Sequence, residues 1–118
     1  MNRAIADTWI EALTSGVYVQ RVQALCEDGA HCALGVLCDL AVKAGVCTEK
    51  QVGITTTFDN YACSPPPSVR QWAEMSSSQG LLKNPDESEV RSVLEANDLF
   101  KMSFPEIALW IDKNCDRL

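Results

Sequence analysis

A chain of 118 residues with 47% hydrophobic and 22% charged side chains has the size and composition of one compact domain, which excludes a disordered or low-complexity segment of this length. Its net charge of −6 repels phosphate backbones, so DNA and RNA are not expected partners. The opening MNRAIADTWIEAL carries Arg3, Asp7 and Glu11 within its first turns, so neither a signal peptide nor a membrane span is expected, and a cytoplasmic protein with six reduced cysteines is.

Taken in chain order, Asn2 is placed to cap a first helix whose Ile5, Trp9, Ala12 and Leu13 share a face, with Ser15-Gly16 as its stop. The β-prone run VYVQRVQAL over 17–25 predicts one or two short strands before the turn chemistry of Glu27-Asp28-Gly29. From Cys32 to Ala44 the pattern is apolar nearly all round, predicting a central buried helix closed by Gly45. Cys32, Gly35, Val36, Asp39 and Lys43 form one narrow stripe of that helix, and this stripe is expected to face any cleft.

Residues 46–64, with Val52, Ile54 and the Thr55–Thr57 run, predict a short strand or an irregular excursion. Pro65 to Pro67 favour a helix from Pro67 to Met75 that buries Val69 and Trp72, followed by a flexible loop over 76–80. A further short helix is predicted over 87–96, ended by Asn97-Asp98. Ser103 and Glu106 form an S-x-x-E capping box for a last helix that buries Ile107, Trp110 and Ile111. The expected fold is mainly α with a small β element, an α+β single domain over 1–118 built around helix 32–44.

Few residues suggest chemistry. The first three cysteines, 26, 32 and 38, have five residues between each pair, wider than zinc pairs, and there is one histidine, so no metal and no cofactor are expected. His31-Cys32 at a helix start is the weak catalytic candidate, because a helix N-terminus lowers a thiol pKa. Tyr18 and Gln20 fall on one side of an extended segment and would present a hydroxyl and an amide together. Trp9, Trp72 and Trp110 lie on apolar helix faces, where packing explains them, and Asn97-Asp98 can also serve simply as a cap and turn.

Four co-ordered motifs resemble a family of small uncharacterised phage and prophage proteins. They are W-I-E-A-L-T-S-G-V-Y-V-Q (9–20), C-A-L-G-V-L-C-D-L (32–40), the Pro-led P-P-P-S-V-R-Q-W-A (65–73), and A-N-D (96–98) before S-F-P-E-I-A (103–108). The resemblance implies a phage or prophage origin and brings no activity with it. Where members often run N-D-x-G, this chain has Asn97-Asp98-Leu99-Phe100, and 46–64 has no counterpart.

The function expected on these grounds is non-enzymatic binding, as a counter-defence protein that sequesters a nucleotide-derived host signal in the host cytoplasm. Tyr18, Gln20, Cys32, Asp39, Asn97 and Asp98 would line the pocket, Arg21 or Arg70 would neutralise phosphate, and Gly35 would let a ligand or backbone approach the helix closely. The alternatives are an inhibitor that binds a host defence protein directly and a papain-like cysteine hydrolase using Cys32. Self-association into a homo-oligomer stays open.

Overall fold

Helix α1 spans Arg3–Thr14 in the computed structural model, which describes residues 1–118, and Asn2 caps it by accepting the Ile5 N–H at 3.0 Å. Its buried face carries Ala6, Trp9 and Leu13, with Ile5 and Ala12 half-buried beside them. The indole N–H of Trp9 donates to the Ala33 carbonyl at 2.9 Å, so the one polar atom of the largest core residue ties α1 to the next helix.

The predicted strand over 17–25 is not formed. Gln20 makes a single parallel bridge to His31, while the short strands β1 (Cys26–Glu27) and β2 (Ala30–His31) flank the Asp28-Gly29 turn instead. Gln23 takes a positive φ of 74°, which breaks any extended run, and the segment's backbone groups go elsewhere: Leu25 N–H to Ala62 and Arg21 N–H to His31.

Helix α2 covers Ala33–Lys43 with Cys32 as N-cap, its sulfur accepting the Gly35 N–H at 3.3 Å. Ala33 to Cys38 are all buried, as the apolar pattern requires. The open stripe is shorter than expected: Cys32, Gly35 and Val36 are buried, and only Asp39 and Lys43 reach solvent. At Gly35 a Cβ would lie 1.8 Å from the Leu25 carbonyl oxygen, so of the two close approaches expected there the one made is by the chain's own backbone, and Gly35 is not a ligand contact.

The excursion over 46–64 holds a hairpin, β3 (Glu49–Val52) and β4 (Thr55–Phe58), turned at Gly53-Ile54 with a positive φ only at Gly53, the pattern of a type II′ turn. The sheet is antiparallel with order β2-β1-β4-β3. Helix α3 (Pro67–Ala73) buries Val69 and Ala73, leaves Trp72 half-buried, and ends on Glu74 in the left-handed region.

The helix predicted over 87–96 is displaced. Its helical turn begins at Val93 and becomes a π-helical turn over Glu95–Leu99, so Asn97 and Asp98 sit inside it rather than ending it. Helix α4 (Phe104–Asn114) starts with both arms of the predicted capping box made, Glu106 N–H to Ser103 and Ser103 N–H to Glu106. It buries Phe104, Ile107, Ala108 and Ile111, leaves Trp110 half-buried, packs on α1, and runs into a 3₁₀ turn over Cys115–Arg117. The whole is an α+β domain with a small four-stranded sheet, as the patterning implied.

Candidate functional site

One row of side chains crosses all four strands. His31 on β2 pairs with Cys26 on β1, Glu27 pairs with Thr55 and so places Cys26 opposite Thr56 on β4, and Thr56 pairs with Gln51 on β3. Residues paired directly across strands share a face, and Glu49 shares it too, two positions from Gln51. This face and Asp39 of α2 enclose a cleft of about 430 Å³. Thr56 Oγ1 donates to Gln51 Oε1 at 2.7 Å, which fixes both side chains at its floor.

A second, more apolar groove of about 300 Å³ lies among α1, the 15–18 segment and α2, lined by Ala12, Val17, Tyr18, Leu40 and Lys43 among others. Tyr18 borders this groove, Asp39 borders the sheet-face cleft, and the Tyr18 hydroxyl donates to Asp39 Oδ2. Lys43, one helical turn beyond Asp39, donates to the Tyr18 oxygen and to Asp39 Oδ2, both at 3.2 Å. The Tyr18 ring meets His31 edge-on, with centroids 5.1 Å apart.

Partial burial, reinforced by the bond to Asp39, pushes the Tyr18 phenol above its usual range, so it remains a donor. The bonds to Tyr18 and Asp39 raise Lys43 and keep it an ammonium. Burial lowers His31 despite the opposite pull of Asp39 and Glu49, favouring the neutral ring. Its Nδ1 is buried without a partner, whereas Nε2 also lacks a partner but is open to solvent.

Gln20, Arg21, Asn97 and Asp98 gather elsewhere, in a network centred on the Asn97 amide. Asn97 Oδ1 accepts from Gln20 Nε2 at 3.0 Å and from the Ala33 N–H at 3.2 Å; its Nδ2 donates to the Arg21 carbonyl at 2.9 Å and to Asp98 Oδ1 at 2.7 Å. All four hydrogen-bonding positions of the amide are filled, and Asn97 is 2% exposed. Asp98 also accepts the Gln23 N–H at 3.0 Å, the residue with positive φ. The Arg21 guanidinium lies against Glu27 and the Val22 carbonyl. These four residues hold the irregular 20–23 segment to the first turn of α2, and none lines either cleft.

Arg70 is on α3, donating to the Met75 carbonyl, and lines neither cleft, so the expected phosphate clamp is not assembled. The expected activation of Cys32 is reversed. The helix start is there, but burial dominates and pushes the thiol up to about 11. Cys26, Cys38, Cys47 and Cys115 are likewise buried free thiols, and Cys63 is the exposed one.

Of the predicted binding residues, then, Tyr18 and Asp39 come together at a cleft, and Gln20, Arg21, Asn97 and Asp98 form a structural network. Of the cleft residues that sequence reasoning missed, Glu49, Gln51 and Thr56 are on the β3–β4 hairpin, and Cys26 and Gly29 are on β1 and the turn after it. The signal was present: period-two spacing puts Glu49 and Gln51 on one face, and Gly53 marks the turn that places Thr56 opposite.

A family described as a domain of unknown function, DUF8296, matches residues 1–115. The chain belongs to the DUF8296 family. No curated protein and no solved structure matches this DUF8296 chain. The match takes in both clefts and the Asn97 network, so the site lies wholly within the DUF8296 domain. None of its helices is long and apolar enough to cross a membrane.

Proposed function

We propose that the protein is a non-enzymatic binder that captures a small molecule in the sheet-face cleft. The observation that carries this reading is the row His31–Cys26–Thr56–Gln51 crossing four strands beneath Asp39, a preformed concave surface of ligand size with polar groups converging on it. Tyr18 and Lys43 hold Asp39 in place from behind. Capture without turnover is supported by Cys32, whose buried thiol at about 11 leaves roughly one part in ten thousand as thiolate at neutral pH.

In a phage or prophage protein, as the sequence motifs suggest, the role that fits capture is counter-defence, by sequestering a nucleotide-derived host signal. The test is a thermal melt of the purified protein against cyclic dinucleotides, cyclic oligonucleotides, ADP-ribose derivatives, nucleotides and nucleosides. A ligand at about a thousand times its dissociation constant adds ~4 kcal/mol, which moves a domain of this size by many degrees. A shift from one compound that Asp39→Asn abolishes supports capture; a flat panel refutes it.

A direct protein contact is the second reading, favoured by adjacent Leu99 and Phe100, which are 68% and 55% exposed at the end of the π turn. Pull-down of one host protein, lost on Leu99→Ser with Phe100→Ser and unaffected by Asp39→Asn, would select it.

A further inference from the structure

The free polar atoms of the sheet-face cleft describe the group that fits it. Asp39 Oδ2 is taken by Tyr18 and Lys43, while Oδ1 has no partner in the chain and is open to solvent. Both carboxylate oxygens of Glu49, an exposed strand residue, are free in the same way. Of the two ring nitrogens of His31, Nδ1 is the one sealed in. A buried donor without a partner is the rarer kind of orphan, so Nδ1 carries the bare lone pair and Nε2 carries the proton toward solvent. The cleft therefore offers carboxylate acceptors beside one N–H donor, and no Lys or Arg lines it. The nearest ammonium, Lys43, is engaged with Asp39 and borders the other groove.

Resting on the capture reading above, we propose that the cleft takes the amidine edge of adenine or cytosine, with sugar and phosphate left at its mouth. That edge places an exocyclic amino donor beside a ring-nitrogen acceptor, the complement of a cleft that holds a carboxylate acceptor, Asp39, and an imidazole N–H donor, His31, on one lining. Uracil and hypoxanthine present a carbonyl beside a ring N–H, which sets acceptor against carboxylate and donor against donor. A phosphate in the cleft would face Asp39 and Glu49, and the nearest ammonium, Lys43, is already paired with Asp39 and leaves Glu49 unoffset. The volume of about 430 Å³ accommodates a nucleoside.

Titration calorimetry at low salt on the intact protein tests this with adenosine against inosine, cytidine against uridine, each amino nucleoside against its 5′-monophosphate, and spermidine as a simple cation. Expected is binding of adenosine or cytidine, about tenfold or more tighter than its deaminated partner and than its monophosphate. Glu49→Gln, at an exposed position that leaves the fold intact, should narrow the gap between nucleoside and monophosphate. A monophosphate or deaminated nucleoside that binds as tightly as the amino nucleoside overturns the assignment and leaves capture standing. Preference for spermidine over every nucleoside overturns it too. Failure of every compound here and in the melt panel removes the capture reading and this assignment together.

Discussion

The Tyr18 hydroxyl donates to Oδ2 of Asp39 across 21 positions of sequence, and in doing so joins the irregular segment after α1 to the solvent-facing side of α2. The two clefts meet at this bond, so the side chain that orients Asp39 for one cleft is also the wall of the other.

Tyr18→Phe keeps the ring against His31 and removes only the donor. A hydrogen bond to a charged acceptor is worth about 1.5–3 kcal/mol net, and Lys43 stays to hold Asp39. Chemical denaturation should show a loss of that size with an unchanged m-value. The same variant should weaken any cleft ligand, because Asp39 loses one of the two groups that position it.

Gly35→Ala should cost far more than a methyl in a helix ordinarily does. The added carbon would overlap the Leu25 carbonyl, which also accepts the Cys32 N–H, so neither backbone can move alone. A loss above about 3 kcal/mol, or failure to accumulate as folded protein, is expected by thermal melt and soluble yield.

Asn97→Ala strands a buried N–H at Ala33 and leaves Gln20 Nε2 with only the Met102 carbonyl, for an expected loss of about 2–4 kcal/mol. Gln20→Ala alone should cost less. Because the two share one network, a double-mutant cycle should return a coupling of at least ~0.5 kcal/mol; strict additivity would show that the Gln20–Asn97 bond contributes nothing.

The His31 pKa is lower in the folded protein than in the unfolded chain, so between those two values the unfolded state binds the extra proton. Its contribution is full above the unfolded value near 6.5 and is lost as pH falls from there through the folded pKa. Urea midpoints measured at descending pH should therefore drop over that window in the native protein. His31→Gln should drop less over the same range.

Cysteine chemistry separates capture from hydrolysis. With iodoacetamide near neutral pH, exposed Cys63 should be alkylated in the folded protein and Cys32 only after unfolding, as peptide mass mapping would read. Fast, selective modification at Cys32 would contradict its buried, protonated state.

Helix ends and buried faces were legible because their causes are local. Asn2 accepts an N–H three residues ahead, Ser103 and Glu106 satisfy each other within one turn, and an apolar run with no polar side predicts burial of α2 whatever it packs against. The failures are non-local. The strand expected over 17–25 is absent because its polar groups are claimed by Asn97, Asp98 and Ala62, partners more than thirty positions away. Asn97 and Asp98 have the side chains of a helix stop, yet a π-helical turn aims them inward, where four bonds to distant atoms outweigh their preference for a cap.

Sequence alone determined the α+β class, the caps at Asn2 and Ser103, the burial of α2 and the net acidic charge. It also singled out Tyr18 and Asp39, but not what joins them. Tertiary structure decided that Gly35 answers to the Leu25 carbonyl, that burial outweighs the helix start at Cys32, and that a polar cleft forms over the hairpin face of Glu49, Gln51 and Thr56. The physical reason is one of range: caps and periodicity are settled within a turn or two of chain, whereas desolvation, steric approach and the register of four strands depend on residues that meet only when the chain is folded.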